Sequence, residues 1–295
     1  MTLMEGLTEV GDRTYRLEVP IAGALVPNVS YLITDGNGAL IEPGPGAAVP
    51  AVQSAVKHLG LQELAYIIPT HIHVDHAGGV GALALLFPTA KVLAHPRGAK
   101  HLANPARLVA NTKRIYGDDV ETRSGPMPPV PESRIKIIDD GDTFIIGGRT
   151  LQVIHAPGHS PDHFGILDRS LNGLFCGEAL GLPPHLLPSV APYAFDEEAY
   201  LQTIEKLRKL RPSTILYSHG RVETAPENAF SRAAENTHIY GQMVLDGIKN
   251  GDSRAEIARR FAADVKRRFG LLFGPEGSQI FVAGYSMYYE KKGLA

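Results

Sequence analysis

The sequence predicts an α/β protein built as a four-layer αββα sandwich, with two β-sheets face to face and helices outside, followed by a C-terminal helical appendage. Three features lead there. Short β-type runs give way to helical spacing in the first half of the chain, and the same succession returns after residue 134. Two sheets that each hide one face on the other and one face under helices satisfy that order. From about residue 222 the strand signals stop and helical patterns take over. The expected organisation is a domain over residues 1–221 and a helical extension over 222–295 that caps the functional site.

The elements follow in order. Thr14 to Val19, Ser30 to Thr34 and Ala39 to Glu42 are short β-type runs, and Asp35-Gly36-Asn37-Gly38 between the last two is a strong hairpin signal. Ala48 to Leu59 has apolar residues at helical spacing and stops at Gly60. Leu64 to Ile68 reads as a buried strand, Val80 to Phe87 as a short helix ending before Pro88, and Lys91 to Ala94 as a further strand. Residues 97–133 are less regular and hold Pro105, Pro126, Pro128, Pro129 and Pro131. A helix over Ala106 to Tyr116 is expected there, then a loop bordering a pocket. The second set of strands is Ile135 to Ile138, Thr143 to Ile146, Leu151 to His155, Phe164 to Asp168 and Gly173 to Cys176. Glu197 to Leu210 reads as an amphipathic helix and Thr214 to Tyr217 as a strand. In the extension, Ser253-Arg254-Ala255-Glu256 is a capping box opening a helix to about Arg268.

Composition narrows the function classes. A chain of 295 residues, 44% hydrophobic and 20% charged, has an ordinary globular make-up. A formal net charge of -2 gives no electrostatic case for nucleic acid. Cys176 is the only cysteine, so no intrachain disulfide can form. Glu5, Glu9, Asp12 and Arg13 stand where a signal peptide needs an apolar core, and no window approaches the length of a membrane span. The expected setting is cytoplasmic, with no membrane partner. Nothing in the sequence marks an oligomer interface.

The chemistry concentrates in PTHIHVDHAGG, Pro69 to Gly79, where three histidines and an aspartate fall within six positions on a turn after a strand. Neutral imidazole and carboxylate are the ligands zinc and iron(II) take when thiolates are absent. His71 and His73 can face one ion; the chain then turns, so that Asp75 and His76 can face another. Two ions roughly 3.5–4 Å apart form the site many hydrolases use. More ligands are then required from other strand ends. His159 follows one strand in PGHS, Glu178 follows the next in FCGE, and His219 follows a later one in SHG. Each adjoins a glycine, as a tight turn with close backbone approach requires.

The HxHxDH signature, followed in order by PGHS, FCGE and SHG, resembles the metallo-β-lactamase-fold hydrolases. Within them the chain is similar to the glyoxalase II-like branch, whose second metal takes histidine where true β-lactamases use cysteine. The likeness runs from about residue 14 to 221, and the segment past 222 resembles the helical extension of some members. The resemblance implies that His71, His73 and His159 bind the first metal and that Asp75, His76 and His219 bind the second. Glu178 stands where the family has a bridging aspartate; it can bridge with a shifted metal spacing or bind one ion only. Two divalent ions per chain are implied, zinc first, with iron or manganese as alternatives.

The expected activity is hydrolysis of a small ester-type substrate, whether thioester, lactone, carboxylic ester or phosphodiester. Asp75 has the catalytic role of orienting the attacking water. The alternative is a signalling or protein-contact member with a metal site and little hydrolysis, and an iron redox role ranks last because His73 occupies a position that is glutamate in the flavodiiron relatives. His58, His95, His101, His185 and His238 are read as hydrogen-bonded packing residues, and His163 as either packing or support for a ligand. Residues 97–133, Leu180 to Phe195 and the C-terminal helices are expected to set specificity, with His185, Tyr193, Arg221, Tyr285, Tyr288 and Tyr289 as wall candidates.

Overall fold

A computed structural model describes residues 4–19 and 26–294. It divides into two compact units. The first comprises residues up to 155 together with 162–177 and 212–224. It holds both sheets. Strands β1 (Leu7–Gly11), β2 (Thr14–Val19), β3 (Asn28–Ile33), β4 (Ala39–Ile41), β5 (Tyr66–Ile68), β6 (Lys91–Ala94) and β7 (Ile135–Ile137) form one sheet in that order. It is antiparallel from β1 to β4 and parallel from β4 to β7. The second sheet runs in the order β13 (Val222–Glu223), β12 (Thr214–Tyr217), β11 (Gly173–Gly177), β10 (Phe164–Asp168), β9 (Arg149–His155), β8 (Thr143–Ile146). Only its β11–β12 pair is parallel.

Side chains alternate between the faces of a strand, and that alternation builds two cores. Val29, Tyr31 and Ile33 of β3 join Phe144, Val153, Ile166 and Phe175 of the second sheet in one cluster. Leu32, one residue out of phase, belongs to the other cluster, with Val52 and Val56 of helix α1 (Val49–His58) and Val80 and Leu83 of helix α3 (Val80–Leu86). Strand β3 is therefore buried along its whole length, as a strand covered on both faces must be. The expected hairpin forms, pairing β3 with β4 antiparallel, with Gly36 and Gly38 at positive φ.

Four elements go beyond the sequence reading. The ligand turn tightens into a single helical turn, α2 (Val74–Ala77). The irregular stretch contains helix α4 (Pro96–Ala103) ahead of the expected α5 (Ala106–Tyr116), and a short α6 (Val120–Ser124) after it. Strand β1 precedes the first β-type run expected. Its residues alternate too weakly to signal a strand, and pairing with β2 supplies what the pattern lacks.

The second unit comprises 156–161, 178–211 and 225–295. It contains α7 (Glu197–Lys209), α8 (Pro226–Lys249), α9 (Arg254–Phe269) and α10 (Pro275–Lys292). Phe261 and Phe281 stack with centroids 4.0 Å apart, and Tyr240 meets Phe261 edge-on at 5.0 Å. Asn236 of α8 donates to the carbonyls of His185 and Leu186, fastening the segment before α7 to the bundle. The Ser253–Glu256 capping box is formed at the start of α9. Tyr285 is fully buried and donates to the Thr237 carbonyl, while the Tyr289 hydroxyl donates to Glu197. Both are packing residues of this bundle. No helix among the described residues is long and apolar enough to cross a membrane.

Candidate metal centre

The ligand loop leaves the carboxyl end of β5, where a parallel strand ends and its backbone must turn. Two hydrogen bonds fix α2 against the turn after β4: Gly44 N–H donates to the His76 carbonyl and Gly79 N–H to the Gly44 carbonyl. The Asn28 side-chain amide donates to the Asp75 carbonyl at 2.7 Å. His219 arrives from the other sheet. The loop after β12 is stitched to the start of β3 by Val29 N–H to the Ser218 carbonyl and Gly220 N–H to the Pro27 carbonyl.

Asp75, His76 and His219 each offer one ligand atom, and these atoms all lie within 4.8 Å of one another. Asp75 Oδ2 is 3.2 Å from His76 Nε2 and 3.6 Å from His219 Nε2. Both histidines are buried, whereas the Asp75 side chain is 40% exposed. The other candidate ligands are His71, His73, His159 and Glu178. In the first unit, His71 Nε2 meets His73 Nδ1 at 2.9 Å. In the second, His159 Nε2 meets Glu178 Oε2 at 2.8 Å.

The partners behind these side chains fix which nitrogen each imidazole presents. Glu42 Oε2 lies 2.8 Å from His76 Nδ1. An ionised carboxylate can only accept, so Nδ1 carries the proton and Nε2 offers its lone pair. The Thr70 hydroxyl donates to Glu42 Oε1 at 2.5 Å and therefore accepts from His71 Nδ1 at 3.1 Å. His71 Nε2 is then the free-electron-pair side. One carboxylate thus orients a histidine in each ligand group. His159 is set the same way, since its Nδ1 faces the Ser189 carbonyl at 3.0 Å. Glu178 accepts from Ser189 Oγ at 2.7 Å, and its own carbonyl accepts from Tyr200 OH.

These supports were not legible as functional residues. Glu42 closes an apolar run and reads as the end of a strand. Its sign in the structure is a positive φ of 57° on a buried non-glycine residue, a conformation retained where the surroundings over-determine it. His163, left open between packing and support, is fully buried with its ring 5.1 Å from that of His71. A Cβ at Gly177 would fall 2.4 Å from His163 Nε2, so glycine there leaves room for that ring. Among the packing histidines, His95 stacks on His155 and His185 on Phe269.

The donor set fits divalent cations: imidazole nitrogens and carboxylate oxygens without thiolate, with His71, His76 and His159 each backed by an acceptor on Nδ1. The family model of the metallo-β-lactamase superfamily matches residues 23–219. The chain belongs to that superfamily. It is similar to the metallo-β-lactamase fold-containing protein ST1585 of Sulfurisphaera tokodaii, 26% identical over 54% of this chain and 62% of that protein. A hydroxyacylglutathione hydrolase of Aeromonas hydrophila is 33% identical over 52% of this chain and 46% of its own length. The atrochrysone carboxyl ACP thioesterase AgnL7 of Paecilomyces divaricatus is 25% identical over 76% and 61%. The chain therefore spans about half to three fifths of the length of these curated relatives. Among solved structures, the metallo-β-lactamase family protein TTHA1429 of Thermus thermophilus superposes with a TM-score of 0.73 at 21% identity, covering 95% of this chain and 94% of that one. The likeness carries the fold, an α/β sandwich of two mixed sheets with a helical appendage.

Proposed function

We propose that this superfamily member is a metal-dependent hydrolase of ester-type bonds, thioesters first, on a small acyl substrate. His71, His73, His159 and Glu178 hold one divalent ion in this reading, and Asp75, His76 and His219 a second, with zinc foremost and iron or manganese as alternatives. The observation that carries it is the convergence of Asp75, His76 and His219, with His76 turned by Glu42 so that Nε2 faces Asp75. The thioester preference draws support from two relatives, one named for an acylated glutathione and one for an ACP thioester.

Divalent ions at such a centre supply Lewis acidity and bring the ionisation of water near neutral pH. The protein's own groups do the rest. Glu42 and Thr70 hold His71 and His76 in one tautomer. Ser189 holds His159 and Glu178 together. Asp75 is the one ligand candidate of its trio with substantial exposure, so a carboxylate oxygen can accept a hydrogen bond from the attacking water and aim its lone pair at the acyl carbon.

The test is elemental analysis of protein purified without added metal, followed by a panel of S-acyl glutathione, S-acyl pantetheine, a lactone, a carboxylic ester and a phosphodiester. About two divalent ions per chain and fastest turnover of a thioester are expected. Full metal occupancy with no turnover of any class would replace this reading by a binding or signalling role.

A further inference from the structure

The helices beside the ligand loop carry a charge pattern that the metal chemistry does not use. Between Pro96 and Gly117 stand Arg97, Lys100, Arg107, Lys113 and Arg114 with no Asp or Glu, in a chain of formal net charge -2. Both helices turn their basic side outward. Helix α4 buries Gly98 and Leu102 and leaves Arg97 and Lys100 exposed. Helix α5 turns Val109 and Thr112 to a small cleft shared with Val74, Val120 and Met127. Arg107 and Arg114, seven residues apart and so on one face, are exposed. Among the described residues Arg97, Lys100 and Arg107 have no ion-pair partner. Burial lowers the pKa of His101 first; Lys100 and Arg107, one from each helix, add to that lowering, and Asp162 opposes it.

This wall stands directly behind the candidate ligands. Ile72 and Val74 alternate with His71, His73 and Asp75. Ile72 packs so closely on α4 that a Cβ at Gly98 would come within 2.7 Å of its Cγ2. Val74 lines the cleft of α5.

We propose that the exposed face of α4 and α5 docks an acidic carrier protein that presents the acyl thioester to the metal centre. The inference rests on the hydrolytic reading above and names the form in which the acyl group arrives. Cations on successive turns of two helices match an extended acidic surface, and complementary fields of that kind raise the rate of productive encounter. An anionic membrane is the competing polyanion. It needs an apolar anchor beside the cations; Val109 and Thr112 are half-buried on the cleft side of α5, and the exposed Tyr116 falls on that side too, opposite Arg107 and Arg114.

The test uses metal-loaded full-length protein with two probes: hexanoyl-phosphopantetheine on an acyl carrier protein, and hexanoyl-pantetheine alone. In R97E/K100E/R107E, kcat/KM for the carrier-bound substrate should fall by at least about tenfold and lose its salt dependence. Hydrolysis of hexanoyl-pantetheine should be unchanged, and R97Q/K100Q/R107Q should show a smaller loss in the same direction. Equal loss on both substrates, or none on either, overturns the proposal. Calorimetric binding of the carrier separates the two readings. If neither thioester is hydrolysed but the carrier binds the parent protein and not the charge-reversed one, the hydrolytic reading fails and the docking face stands. Binding to phosphatidylglycerol vesicles without binding to the carrier, or binding to neither, overturns the docking face.

Discussion

Two clusters of ionisable groups lie in the same unit of this protein, and they are built on opposite principles. In one, Arg149 sits between Asp35 and Asp168, all three nearly inaccessible. Its guanidinium donates to both carboxylates, to Thr14 Oγ1 and to the Asp12 carbonyl. Asp168 also accepts from Ser170 and Leu171, and Asp35 from Arg13. The cation is part of the chain, and every charge is answered. The other cluster, Asp75 with His76 and His219, consists of electron-pair donors whose outer sides are held by Glu42 and Asn28. In the proposed reading its cation is an exchangeable metal ion. Burial of charge alone does not separate a structural network from a binding centre; the separating feature is whether the positive partner is covalently fixed or exchangeable.

That contrast can be broken by substitution. Replacing His71 and His73 together by alanine should remove metal, as read by elemental analysis, and cut turnover by roughly ten-thousandfold, because ligands that act as a unit fail as a unit. Full metal content in that variant would refute the assignment. Arg149→Met should do the reverse, leaving metal content intact while destabilising the fold by about 3–5 kcal/mol in a denaturant titration, since it strands two buried carboxylates. A lost metal site with unchanged stability would erase the distinction.

Glu42→Gln is a sharper probe. It keeps the shape but removes the charge that fixes His76 and Thr70, and losses of about 10–100-fold in metal affinity are expected of such a partner. Stability should change far less than in Arg149→Met. The smallest effect belongs to an exposed interaction outside both clusters: Ser253→Ala at the cap of α9 should cost about 1 kcal/mol, measured by thermal unfolding, with no change in metal content.

Much of this was legible in the sequence because the chemistry is local. The His71–His76 run could not be explained as packing, and the further ligand candidates His159, Glu178 and His219 were each marked by a glycine near a strand end. The sheets were legible wherever apolar runs end in turn residues, as at Thr143–Ile146, Phe164–Asp168 and Thr214–Tyr217, which form with those bounds. What stayed hidden depends on contacts between distant residues. Glu42 meets His76 across 34 positions of chain, and Ser189 meets Glu178 across 11. No periodicity encodes either. Helix α4 lies in the stretch that reads as irregular; in the structure Pro96 opens the helix and Gly98 is the point where Ile72 needs space.

The grip of Glu42 has a wider consequence. Its two oxygens reach separate ligand groups, one through Thr70 to His71 and the other straight to His76. His71 and His76 therefore share a single pivot. A disturbance that swings this carboxylate turns both imidazoles at once, so a change at one residue behind the ligands weakens the two ligand groups together rather than one alone.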